Sequence, residues 1–85
     1  MEKRWSDTAW EEYLYWQLMD RDTLRKINDL LKSIKREGPM KGIGKPEPLK
    51  SRTGYSRRIT KEHRLVYNIK NGVLIIYSCK GHYED

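Results

Sequence analysis

The chain has 85 residues and a net charge of +6, with 36% apolar and 35% charged side chains and one cysteine. Its length suits residues 1–85 forming a single domain around one modest core, and three Trp and six Tyr exclude a disordered chain. Cys79 alone excludes an intrachain disulfide, and the longest apolar run, Val73 to Tyr77, is too short to span a bilayer. The N-terminal MEKRW lacks the apolar core of a signal peptide, which points to a cytosolic protein. The charge is uneven: residues 1–37 hold eight basic and eight acidic side chains, residues 38–85 ten and four. A positive field confined to one half suits a polyanionic partner, although small basic domains are also common.

Ser6 and Asp7 supply an N-cap and an early acidic charge for a first helix, with Trp10, Tyr13, Leu14, Gln17 and Leu18 marking one face. Asp20 or Asp22 starts a second helix, in which Leu24, Ile27, Leu30, Leu31 and Ile34 recur at amphipathic spacing; Gly38 and Pro39 end it. MKGIGKPEP is then loop chemistry. YSRRIT, HRLVYNIK and VLIIYSCK read as strands, with Asn71-Gly72 as a hairpin turn between the last two. Short strands near Lys3 to Trp5 and Pro48 to Lys50 complete the prediction. The fold class is α+β: two N-terminal helices packed on one face of an antiparallel β-sheet.

The Asn71-Gly72 turn sets a register. Lys70 faces Val73, and an unbroken ladder carries Arg64 opposite Cys79, on one face with Val66, Ile75 and Tyr77. Leu65, Tyr67, Ile69, Leu74 and Ile76 point to the helices. A three-residue loop at Thr60 to Glu62 sets Arg58 beside Arg64, whereas a two-residue loop sets Arg57 there.

WEEYLYWQ in the first helix, GIGKPEPLK in the loop, SRRITKEHRLVY in the strands and a closing HY resemble, in order and spacing, the YoeB/Txe toxins of bacterial type II toxin–antitoxin pairs, within the RelE-like superfamily. The resemblance implies a microbial-RNase-like fold and a ribosome-dependent mRNA endonuclease cutting in the A site. It also implies neutralisation by a YefM-type antitoxin, and a homodimer. Glu47 resembles the family's general base and His82 its general acid; Arg64, with Arg58 and Lys50, resembles the phosphate-holding group, and Tyr83 matches a further functional position. The chain departs from the family in continuing with Glu84 and Asp85 after the His-Tyr pair, and in carrying Tyr55 where a tryptophan is usual.

Metal-free RNA cleavage requires a base for the ribose 2′-OH, an acid for the leaving 5′-oxygen and cations around the phosphorus, and it yields a 2′,3′-cyclic phosphate. The basic half holds a candidate for each. Glu47 and Glu62 are the only acids between Gly38 and Tyr83. Pro46 and Pro48 restrict the backbone on both sides of Glu47, which reads either as a positioned base or as an exposed loop residue. His82 reads as an acid or as an ordinary terminal residue; His63, at the start of a strand, reads as structural. Arg57, Arg58 and Arg64 read as a solvated face or as anion ligands, and Lys50 as a phosphate contact. Tyr83 suits either stacking on an unpaired base or packing. Cys79, among Ile75, Ile76 and Tyr77, reads as a buried apolar residue. No carboxylate cluster or His/Cys spacing suggests a metal, and GIGK is too short for a P-loop, so no cofactor is expected. A non-catalytic basic module that binds RNA or the ribosome is the competing function.

Overall fold

The computed structural model describes residues 1–82, and Tyr83 lies outside them. Ser6 caps the first helix, α1 (Asp7–Met19), as its chemistry predicts. Its hydroxyl accepts the Ala9 N–H at 3.0 Å and donates to the Tyr77 carbonyl at 2.9 Å, so the cap also ties the helix to the last strand. Asp20 breaks the chain between α1 and α2 (Arg21–Glu37), accepting the N–H groups of Asp22 and Thr23. The Thr23 hydroxyl, followed by its N–H, holds the Asp20 carboxyl below the usual carboxylate range.

Five strands form one sheet: β1 (Glu2–Trp5), β2 (Glu47–Pro48), β3 (Tyr55–Arg58), β4 (Arg64–Lys70) and β5 (Val73–Ser78), in the spatial order β1-β5-β4-β3-β2. The sheet is antiparallel except at one edge, where β1 runs parallel to β5. That edge differs from the all-antiparallel expectation because β1 is joined to β5 only through the rest of the chain, which frees it from hairpin direction. Asn71 (φ 51°) and Gly72 (φ 75°) make the β4–β5 turn with two left-handed residues, the geometry that matches strand twist.

Both helices cover one sheet face. Ile27, Leu30 and Ile34 of α2 and Ala9 and Trp16 of α1 pack on Leu65, Tyr67, Leu74 and Ile76. Helix α2 buries the line its spacing predicts. Helix α1 does not: Trp10, Leu14 and Leu18 are exposed and Ala9 and Trp16 are buried instead. The helix is rotated so that the Trp16 indole N–H donates to the Cys79 carbonyl at 2.9 Å, a buried bond that gives the indole its polar partner.

The β4–β5 ladder holds its predicted register from Lys70↔Val73 to Tyr67↔Ile76, then slips by one residue, so that Val66 pairs with Ser78 and Tyr77 is the extra residue of a bulge. The slip turns Cys79 from the outer face to the helical side. There its N–H meets Glu12 at 2.7 Å and its thiol lies 3.6 Å from the Ala9 carbonyl. The unbroken register would have set Cys79 opposite Arg64; the Arg64 N–H instead donates to the Gly81 carbonyl at 3.0 Å.

Candidate active site

Residues 59–63 link β3 to β4, and the Ile59 and Thr60 N–H groups on the His63 carbonyl close a three-residue turn at 60–62. This loop pairs Arg58 with Arg64 and Arg57 with Leu65. Alternation therefore sends the two neighbouring arginines to opposite faces. Arg58 and Arg64 lie on the face away from the helices, with Ser56 and Val66 as the next residues inward on their strands. Glu47 pairs with Ser56, which places it on the same face. The Arg64 Nη2 lies 3.7 Å from Glu47 Oε1, an ion-pair contact longer than a hydrogen bond. The guanidinium side chain is 14% exposed and the carboxylate 62%, so the cation is set into the surface while the acid projects from it.

The C-terminal segment approaches this group from the other side. Cys79 is held by Glu12 and Trp16, and Gly81 is held through its carbonyl by Arg64 and through its N–H by His63 Nδ1 at 2.8 Å. His82 follows directly and is exposed. Lys50 is exposed beyond β2. The Leu49–Gly54 loop covers part of the same sheet face, with the Arg52 guanidinium 4.4 Å above the Tyr77 ring. The face that carries Val66, Ile75 and Tyr77 is therefore partly covered: Val66 is 1% exposed and Ile75 and Tyr77 are half-buried.

Arg57 has a different use. It is fully buried, and all five of its N–H donors are engaged. Nε donates to the Tyr67 hydroxyl (2.8 Å), Nη1 to Ser33 Oγ (3.1 Å) and the Ile43 carbonyl (2.8 Å), and Nη2 to the carbonyls of Gly38 (2.8 Å) and Lys41 (2.6 Å). Tyr67 in turn donates to the Pro39 carbonyl at 2.6 Å. The loop that leads to Glu47 is thus folded around a guanidinium. A side chain at Gly42 (φ 106°) would collide with Ser33 Oγ and Glu37 Oε2. The sequence did not suggest this role for Arg57, although its inward parity followed from the three-residue loop. Glu12 and Trp16 were also missed as tail contacts; their only signal was the bulge, and no residue type marks it.

Cys79 is inaccessible. Burial, then the charge of Glu12, pushes its thiol up to about 12. Burial likewise raises Tyr67, against the lowering effect of Arg57.

Two helices on one face of this sheet make a fold shared with YafQ from Escherichia coli, which aligns with a TM-score of 0.70 over 95% of this chain and 92% of its own at 18% identity, a likeness that speaks to the fold alone. The chain itself belongs to the family of YoeB-like toxins of bacterial type II toxin–antitoxin systems, whose model matches residues 5–83. It is 49% identical over 81 residues to toxin YoeB of Escherichia coli K12, covering 93% of this chain and 95% of that one. It also superposes on the YoeB dimer from Staphylococcus aureus with a TM-score of 0.92 at 50% identity, covering 98% of each chain. The toxin chain of the YoeB–YefM complex from the same organism gives 0.91 at 49% identity, again over 98% of each.

Proposed function

We propose that this toxin is a metal-free endoribonuclease that cuts mRNA in the ribosomal A site. The observation that carries the reading is the gathering of Glu47, Arg64 and Arg58 on one sheet face, with the peptide preceding His82 bonded to the Arg64 main chain. Glu47 takes the proton of the ribose 2′-OH as the 2′-oxygen bonds to phosphorus. The bond from phosphorus to O5′ breaks, and His82 in its protonated form gives its proton to O5′, leaving a 2′,3′-cyclic phosphate and a 5′-hydroxyl. Arg64, with Arg58 and Lys50 nearer solvent, meets the charge on the phosphoryl oxygens. Tyr83 is assigned to stacking on a base beside the cut. The 3.7 Å Glu47–Arg64 contact suits this sequence, because an arriving phosphate competes for the guanidinium and frees the carboxylate to act as a base.

The partner follows from the charge. A YefM-type antitoxin, as in the Staphylococcus aureus complex, brings acidic and apolar side chains that fold onto the basic face near Arg58 and Arg64 or displace the residues around His82. Self-association into a homodimer is proposed from the dimeric Staphylococcus aureus relative. A toxin that meets translating ribosomes works in the cytoplasm.

A translation extract programmed with one end-labelled message tests the reading. Wild-type protein should cut near the A-site codon. Glu47→Gln and His82→Gln should each lower single-turnover cleavage by about 10²- to 10⁴-fold while ribosome binding persists. Binding without any cut by the intact protein would leave only a non-catalytic module.

A further inference from the structure

We propose that His63 and Glu12 are positioning residues that hold the chain terminus so that His82 reaches the scissile phosphate; this rests on the endoribonuclease reading above. Four contacts fasten the main chain of residues 79–81, and they come from both layers of the fold. Glu12 of α1 accepts the Cys79 N–H at 2.7 Å, and Trp16 of the same helix donates to the Cys79 carbonyl at 2.9 Å. Arg64 of β4 donates its main-chain N–H to the Gly81 carbonyl at 3.0 Å, and His63 accepts the Gly81 N–H at 2.8 Å. Both peptide groups that flank Lys80 are therefore tied down, one by Trp16 and one by His63.

The His63 side chain is fixed in turn. The His63 ring packs edge-on to Trp16 at a centroid distance of 4.7 Å, so the imidazole that holds Gly81 is braced by the indole that holds Cys79. The His63 N–H is bonded to Thr60 Oγ1 at 3.1 Å, which anchors its backbone in the β3–β4 loop. Gly81 has φ 86°, a left-handed turn, and it directs the next residue after the last fastening point. Because Nδ1 is an acceptor here, this hydrogen bond requires it to be unprotonated. The chain thus carries two histidines with separate duties: one orients the terminus, the other transfers the proton.

A carboxylate on α1 and a histidine in a loop have no direct part in phosphoryl chemistry, and neither contacts Glu47 or Arg64 through its side chain in the bonds described. Their effect reaches the reaction through His82, and a displacement of about 1 Å at an acid can cost about 100-fold in rate.

The test uses full-length His63→Phe, which keeps a ring for Trp16 but removes the acceptor, and His63→Asn, which restores an acceptor without the ring. Amide hydrogen exchange at Gly81 and single-turnover cleavage on programmed ribosomes are read together with ribosome binding. His63→Phe should speed Gly81 exchange and slow cleavage by about 10- to 100-fold with binding unchanged, and His63→Asn should recover most of the rate. Unchanged Gly81 exchange, unchanged cleavage, or a loss of binding in step with cleavage would overturn the proposal. If His63→Phe does not fold, Glu12→Met, which strands the Cys79 N–H, is read by amide exchange at Cys79 with the same cleavage and binding outcomes deciding. Wild-type protein that does not cut overturns the endoribonuclease reading and the role given to His82 with it, whereas Gly81 exchange still reports the tail contact by itself.

Discussion

Replacing Arg57 with lysine keeps the charge and removes the fork, which isolates what the guanidinium does. Five acceptors surround it: the Tyr67 and Ser33 hydroxyls and the carbonyls of Gly38, Lys41 and Ile43. An ammonium offers three donors, so at least two acceptors lose their partner. Each buried acceptor left unmade costs about 1–3 kcal/mol, which gives about 2–6 kcal/mol for Arg57→Lys. A chain of this length has about 4–13 kcal/mol of total stability, so the substitution removes a large share of it. Taking about 3 kcal/mol, the melting temperature should fall by about 12–24 °C for a domain of this size. Far-UV circular dichroism on heating, with urea titration for the free energy, measures both. An Arg57→Lys variant melting within about 3 °C of wild type would show that the 38–44 loop is held by something other than the guanidinium.

Three further outcomes follow from other parts of the fold. If Arg58 and Lys50 meet phosphates as proposed, Arg58→Ala and Lys50→Ala should each weaken RNA binding and lower the slope of log affinity against log salt by about 1; an unchanged slope measured by salt titration assigns those side chains to solvent. Cys79 should not react with a thiol reagent at pH 8 until the chain is unfolded. Its folded thiol sits at about 12 against an ordinary 9.0, so the native chain keeps a proton that the unfolded chain sheds. Its contribution to stability is complete below pH 9.0 and is lost as pH rises toward about 12. Urea midpoints across that range should fall less steeply for Cys79→Ala. Gly42→Ala, which drives a methyl into Ser33 and Glu37, should lower the urea midpoint; a midpoint equal to wild type would mean that the loop moves freely there.

Periodicity and turn chemistry made much of the fold legible. The α2 core line and the Asn71-Gly72 turn were readable, because each is set by neighbours within a few residues, whereas the Arg58–Arg64 pairing was one of two alternatives that loop length left open. The orientation of α1 was not. Its outward stripe of Trp10, Leu14 and Leu18 has as good a helical spacing as the buried Ala9 and Trp16, and the choice is made by a hydrogen bond spanning 63 residues. The β5 bulge escaped for the same reason: Tyr77 is an ordinary strand residue, and only the contacts of Cys79 with Glu12 and Ala9 select the slip. The pair Arg57-Arg58 reads as one charge run, yet strand alternation makes one a buried scaffold and the other a surface cation.

These long-range contacts explain how so small a core supports an exposed set of charged groups. Arg64 is the common element. Its side chain faces Glu47 and its main-chain N–H holds Gly81, so one residue relates the carboxylate loop to the terminal segment. Each of those segments is fastened a second time from the helical layer: the loop through Arg57 to Ser33 of α2, the terminus through Cys79 to Glu12 and Trp16 of α1. The two fastenings share no side chain, so their losses should add where Arg57→Lys and Glu12→Met are combined in a still-folded chain. Cleavage in the double variant should then fall by the product of the single effects, measured as single-turnover rates below the melting temperature. A double variant no slower than the worse single one would mean that loop and terminus move as one body, and that Arg64, rather than the helices, sets the position of both.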